Sequence, residues 1–399
     1  MQTLLLIQSI FVYGLIIFLF MHAGYYTYKQ QFPNGYTGGE NNIQSNTSFT
    51  DLVLRSDFLI PILVFCFFAA IREKVGGVDN YDYEKFFYDI YNYGKIQTED
   101  DIEYGYQWII KLTTQFTNKH YLYFFIISLI QISLLYCGIR KESYLLIFFG
   151  LTFFLCNTFH SMLHIMRQYT VVCLFVAMTP YIQKKKNWIW IIPIILLGMT
   201  IHRTAILMIP LGIIGYLLKD KFLNPYIQLA ILFICYLLID KIDMHGWMNF
   251  YNLGYLSEYD ADTINHYSEY SIQRKTFGAR SHILLISYIV MAFYSKKMKE
   301  YYNNTCYNYI YNIFFWGICF YLLFYNNYVV IRLLHYSIIF SPIVQAYFLF
   351  YLWNNREKDK NNITVFILFI LLLFAHMLFY VAEALAEYPH EFFLYKFHN

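Results

Sequence analysis

Between Asn157 and Gln168 the sequence reads NTFHSMLHIMRQ, where a long apolar run is interrupted by two histidines and an arginine before apolarity resumes. On a helix, His160, His164 and Arg167 or Gln168 fall three and four residues apart, which places them on one face, able to point at one ligand. The cationic character favours an anionic ligand. An arginine at a membrane boundary is costly unless it snorkels, pairs or lines a wet cavity, which marks Arg167 as a functional candidate. The plainer alternative is interfacial snorkelling of the side chain. His160 and His164 also have the i, i+4 spacing of two zinc ligands. Yet no glutamate follows the first as in HExxH and no third ligand lies close by, so no metal is expected there. Asp79, Asp82 or Glu103 would suit magnesium slightly better. The absence of GxSxG, P-loop and GxGxxG patterns removes the hydrolase-elbow and nucleotide-fold readings, and no cofactor is expected.

The elements that must position these residues are membrane helices. The chain has 399 residues, 58% hydrophobic and only 14% charged; its 22% aromatic content, with 42 Tyr and 39 Phe, suits the interfacial belts of a polytopic membrane protein. A net charge of +3, spread among short loops, argues for no nucleic-acid partner. Cys66, Cys137, Cys156, Cys173, Cys235, Cys306 and Cys319 are scattered, mostly in apolar runs, and read as small core residues. The first apolar run lacks a basic leader and a clear cleavage motif and reads as an anchor.

Apolar runs at 4–21, 58–71, 121–139, 144–159, 162–182, 188–201, 204–218, 226–239, 282–294, 309–325, 329–353 and 363–382 predict an all-α polytopic membrane protein of about twelve spans in one integral-membrane domain, 1–399. The short pair 188–201 and 204–218 could equally form a re-entrant hairpin. Basic residues collect on alternate connections (Arg140/Lys141, Lys184–Lys186, Lys219/Lys221, Lys296/Lys297/Lys299, Arg356/Lys358/Lys360), which predicts that these face the cytoplasm. The polar loop 24–57 then lies inside. Loops 72–120 and 240–281 lie outside, with His160, His164, Arg167, His202, Arg203 and Arg332 gathered on the same outer side. Helical spacing of Tyr83, Phe86, Phe87 and Ile90, and of Tyr104, Trp108, Ile109 and Leu112, predicts two short helices along the membrane surface within loop 72–120.

Among possible proton acceptors Asp79 has the best local case, since it follows Gly76-Gly77, where backbone can approach a ligand closely, and comes just after Arg72 leaves the membrane. It could instead merely cap the next helix. His202 stands beside Arg203, a cation that would lower its pKa and favour the neutral form.

Taken in order, Arg72, Val75-Gly-Gly-Val-Asp79 with Tyr83, Glu103-Tyr-Gly-Tyr106, Met166-Arg167-Gln168, Ile201-His202-Arg203-Thr204-Ala205, and Arg332 with Tyr336 and Pro342 resemble the EpsG family, which belongs with the Wzy-type polysaccharide polymerases. The resemblance spans roughly residues 55 to 345. The histidines before Arg167 and the long segment 24–57 depart from the usual pattern. The resemblance implies a GT-C-like glycosyltransferase of the bacterial plasma membrane, metal-independent, joining oligosaccharide repeat units carried on polyprenyl diphosphate. In that reading Arg72, Arg167 and Arg332 hold diphosphate. Asp79, Glu103 or His202 serves as base, and Tyr83, His164, Gln168, Arg203 and Tyr336 line the substrate. Beyond the lipid-linked oligosaccharide and the bilayer, it leaves room for a chain-length-regulating membrane protein as partner. An Arg fork can neutralise a leaving diphosphate bidentately without a metal. A flippase or transporter would use the same arginines in a translocation cavity, but it predicts internal repeats and mid-membrane charge, neither of which the sequence displays. An oligosaccharide ligase shares the donor chemistry. The product of such an enzyme would be a capsule, an O-antigen or an exopolysaccharide.

Overall fold

The computed structural model describes residues 2–33, 35–36, 56–73, 75, 79–97, 102–183, 187–219, 221–239, 241, 277–303, 305–325, 328–387 and 394–397. Within them the chain is helical, with no strand beyond one isolated bridge between Arg72 and Phe397. In chain order the helices are α1 (Gln2–Gln31), α2 (Ser56–Ala70), α3 (Asp79–Tyr93), α4 (Tyr104–Thr114), α5 (Tyr121–Ile139), α6 (Leu146–Leu155), α7 (Thr158–His164), α8 (Met166–Ile182) and α9 (Trp188–Met199). They continue as α10 (Met208–Leu218), α11 (Pro225–Leu237), α12 (Ala279–Tyr301), α13 (Tyr307–Leu323), α14 (Tyr328–Ile338), α15 (Ser341–Asn354) and α16 (Asn361–Glu387).

Among the described residues four stretches are long and apolar enough to cross a bilayer: Leu4–Gln31, Tyr121–Leu155, Val330–Asn354 and Asn361–Ala382. Others of the twelve expected runs form shorter apolar helices, among them Phe58–Ala70, Trp188–Met199, Arg203–Leu218 and Pro225–Leu237. A helix of 12 residues such as α9 reaches only about 18 Å, against a hydrocarbon core of about 30 Å. α1 runs through Gln31, so the expected loop 24–57 begins as helix. Gly24 permits that continuation: a Cβ there would meet the backbone of Leu146 and Ile147, where α1 crosses α6. Residues 37–55 of that loop, and 242–276 of the expected loop 240–281, lie outside the described residues.

Two breaks shape the region around Arg167. Asn157 adopts φ +61, a left-handed conformation that asparagine tolerates, and it ends α6. Ile165, at φ −104 and ψ 62, separates α7 from α8. His160 and Arg167 are therefore on different helices, and the expected shared face does not form. His160 is instead buried, its Nε2 3.3 Å from the Tyr13 hydroxyl.

The central packing joins α5 to α8 and α2, and α6 to α1 and α15. At the other end of α5, Glu142 is buried and accepts from the Cys306 N–H at 3.1 Å and from the Tyr347 hydroxyl, which ties the turn 140–145 to α13 and α15. The C-terminal residues 394–397 clip the end of α2. The Tyr395 hydroxyl donates to the Phe68 carbonyl at 2.6 Å, the Tyr395 N–H to Ser9 Oγ at 2.6 Å, and Lys396 Nζ lies 2.6 Å from a Glu73 carboxylate oxygen. The chain leading from α2 towards Asp79 is thus held by residues 394–397, which Ser9 of α1 in turn anchors.

Candidate active site

α9 and the 3-10 turn Arg203–Leu207 that leads into α10 form the two legs of a hairpin. Its tip, Thr200 to Arg203, abuts the start of α4. Gly105 and Tyr106 donate their N–H groups to the Thr200 carbonyl at 2.7 and 3.3 Å. A Cβ at Gly105 would lie 2.7 Å from that carbonyl oxygen, so only glycine allows this approach.

The junction brings Glu103, the residue before α4, into the hairpin tip. One carboxylate oxygen, Oε1, accepts from His202 Nδ1 at 2.8 Å and from the Arg203 N–H at 3.0 Å; the other, Oε2, accepts from Arg167 Nη1 at 2.9 Å. Two motifs a hundred residues apart in sequence, and the first turn of α8 between them, meet on one buried carboxylate. Burial alone would raise the Glu103 pKa. The His202 hydrogen bond, the charges of His202 and Arg167 and the Arg203 N–H outweigh it and bring the group down to about 2. His202 is lowered from its ordinary 6.5, chiefly by burial, with Arg167 and Arg332 adding to the effect and Glu103 opposing it. At neutral pH the pair is therefore a carboxylate facing a neutral imidazole. Nδ1 carries the proton shared with Glu103, and Nε2 keeps its lone pair.

Further groups gather round this pair. Tyr83 on α3 is buried; burial pushes its hydroxyl up to about 12, with Arg167 and Arg332 pulling it down and Asp79 pushing it up. Asp79, the first residue of α3, lies 4.0 Å from His164 Nε2 at the end of α7, each side chain about a quarter exposed. Gln168 donates to the Arg332 carbonyl at 2.5 Å, so α8 and α14 are pinned together. The Tyr336 hydroxyl lies 3.0 Å from Thr204 Oγ1, which joins α14 to the hairpin. The glycine pair 76–77, on which the sequence argument for Asp79 leaned, lies outside the described residues.

Arg72 stands apart from the other arginines. It is wholly buried, donating through Nε to the Val75 carbonyl at 2.8 Å and through its terminal nitrogens to the carbonyls of Ala69 and Leu163. Its guanidinium stacks over the Phe124 ring at 4.4 Å. With its donors turned to backbone, Arg72 is a strut between the end of α2 and the break at Ile165, and the expected diphosphate contact has no access to it. His335, which the sequence reading passed over, sits one turn beyond Arg332 on α14 and meets the Tyr169 hydroxyl through Nδ1 at 3.0 Å. Its i+3 spacing from Arg332 was the available signal. Among the described residues no group of three or more His, Cys, Asp or Glu side chains is arranged to hold a metal ion.

Set against known proteins, residues 57–397 match the model of the EpsG family, a span from α2 through the C-terminal clip that includes every group of the cleft. No curated protein and no solved structure matches the chain.

Proposed function

Because the chain belongs to the EpsG family, we propose that this polysaccharide-polymerase-like membrane protein joins oligosaccharide repeat units carried on polyprenyl diphosphate, at the outer face of the bacterial plasma membrane. The observation that carries the reading is the convergence of Arg167, His202 and the Arg203 N–H on the Glu103 carboxylate, with Arg332 near enough to act on His202.

In the transfer, an acceptor hydroxyl oxygen attacks the anomeric carbon of the donor. The bond from that carbon to the diphosphate breaks, and the diphosphate leaves with the electron pair. Arg167 lies in the first turn of α8, so its charge adds to the positive end of that helix, and with Arg332 it would neutralise the leaving group. The hydroxyl proton goes to His202 Nε2. Glu103 is a weak base at about 2 and is engaged by three donors; it supports the reaction by holding the imidazole in the tautomer that leaves Nε2 open. Asp79 with His164, and Arg203, would line the sugars, while the buried Tyr83, Gln168 and Tyr336 would hold that lining from behind.

A ladder of lipid-linked or surface polysaccharide from a deletion strain tests this directly. Loss of long chains with one repeat unit retained is the expected pattern. Loss of even that unit would assign the protein to ligation or flipping.

A further inference from the structure

Helix α4 has two apolar faces. One, with Tyr106, Ile110 and Thr113, is buried against α3 and the start of α5. The other is the stripe that the sequence spacing picked out, and it points away from the protein: Tyr104 is 80% exposed, Trp108 71%, Leu112 49% and, just past the helix end, Phe116 73%. Four large apolar side chains repeating every four residues make a patch that a water-facing surface rarely carries.

The place where the stripe begins indicates what covers it. α4 starts at the hairpin tip, tied to Thr200 by the Gly105 and Tyr106 N–H groups. The helix that leads to that tip, α9, is apolar along its length, and Ile189, Trp190, Leu196 and Leu197 are 52–72% exposed on its flank. Such a flank belongs in hydrocarbon. The exposed apolar flank of α9 thus ends at the same tip on which the start of α4 docks, and Lys111, exposed beside Leu112, is placed to reach lipid phosphates. Tryptophan and tyrosine are the side chains that settle at the bilayer boundary.

We propose that α4 lies in the interfacial layer of the membrane, with Tyr104, Trp108, Leu112 and Phe116 set into the lipid surface. Glu103 precedes the first residue of α4, so this seat fixes Glu103, and with it His202 and Arg167, at the depth of the lipid headgroups. The proposal concerns a lipid surface and stands independently of the reaction assigned to the cleft. A second copy of the chain is the competing occupant, and the docking of α4 on the tip of α9, whose exposed flank is apolar throughout, favours lipid.

The test uses the full chain reconstituted in vesicles of phosphatidylethanolamine and phosphatidylglycerol whose acyl chains are brominated either near the headgroup or near the bilayer centre. The protein has six tryptophans, so the Trp108 signal is taken as the difference between the wild type and Trp108→Phe, a change at an exposed position that leaves the buried face untouched. The Trp108 emission should be lost to shallow bromine, less to deep bromine, and little to aqueous iodide. Quenching by iodide and not by bromine would put the stripe in water. Protection from both would put it against protein, and either result overturns the proposal. Because fluorescence needs no turnover, these outcomes are separable from failure of the polymerase assignment.

Discussion

At Glu103 three donors from two distant stretches converge on two oxygens, and this arrangement divides the labour among the charged residues of the cleft. The arginines do the work of charge neutralisation, where a planar fork matters. A lysine offers a point charge and cannot form the paired bonds. A hydrogen bond to a charged group is worth about 1.5–3 kcal/mol, so Arg167→Lys and Arg332→Lys should each lower polymer formation by about 10- to 100-fold at matched protein level. Near-normal chain length would reduce either residue to a snorkelling arginine. The proton acceptor can be tested by pH. The folded pKa of His202 lies below 6.5, so its neutral, accepting form is complete above that value and is lost as the pH falls through the folded pKa. The rate should be level at neutral pH and drop on the acid side with a midpoint below 6.5. Glu103, also depressed, contributes stability that is present above the usual carboxylate range and lost as the pH falls towards about 2. His202→Gln should abolish this acid limb along with most activity, whereas Asp79→Asn should leave its position unchanged. The opposite pattern would transfer the role of base to Asp79. These residues were legible in the sequence as types and rough neighbours. Their division was not, because whether a carboxylate is a base or a clamp depends on partners a hundred residues away. Arg72 shows the same limit: nothing in its sequence context distinguishes an arginine facing a ligand from one donating to its own backbone.

Among the elements, the docking of the hairpin tip on α4 decides whether the cleft exists. Gly105 lies at that contact, and Gly105→Ala would push a methyl group into the Thr200 carbonyl. Overpacking of this kind costs about 1–3 kcal/mol, and here the strain would fall on the segment carrying His202 and Arg203. The variant should show a lowered thermal midpoint in detergent and a loss of polymer larger than the loss of folded protein. Unchanged polymer would mean that the tip can move without disturbing the site. Periodicity in the sequence located α3 and α4 well, because aromatic residues recur at helical spacing. It did not show that the Tyr104, Trp108, Leu112 face turns outward, since an apolar stripe looks the same whether protein or lipid covers it. The apolar runs also merged α6, α7 and α8 too simply. The breaks at Asn157 and Ile165 are set by backbone conformation, and a non-glycine residue at φ +61 leaves little trace in hydropathy.

For the whole molecule, the alternation of basic loops predicts an orientation in which Lys358 faces the cytoplasm while Asp79 and His202 face outward. Cysteine substitution at each position, probed with a membrane-impermeant reagent in intact cells, should label 79 and not 358; the reverse would turn the cleft inward and away from any outer-face substrate. Composition made the helical, membrane-embedded character of the chain plain. Among the described residues four helical stretches are long and apolar enough to cross alone, and several further apolar helices are shorter. The joining of lipid-linked repeat units is tested most directly with the purified protein in liposomes, supplied with a polyprenyl-diphosphate-linked oligosaccharide and nothing else. A ladder of lengthening chains should appear with stoichiometric release of polyprenyl diphosphate, and the Arg167→Lys protein should yield about 10- to 100-fold less of both. Movement of the lipid-linked unit between leaflets by the wild-type protein, with no bond formed between units, would contradict the account.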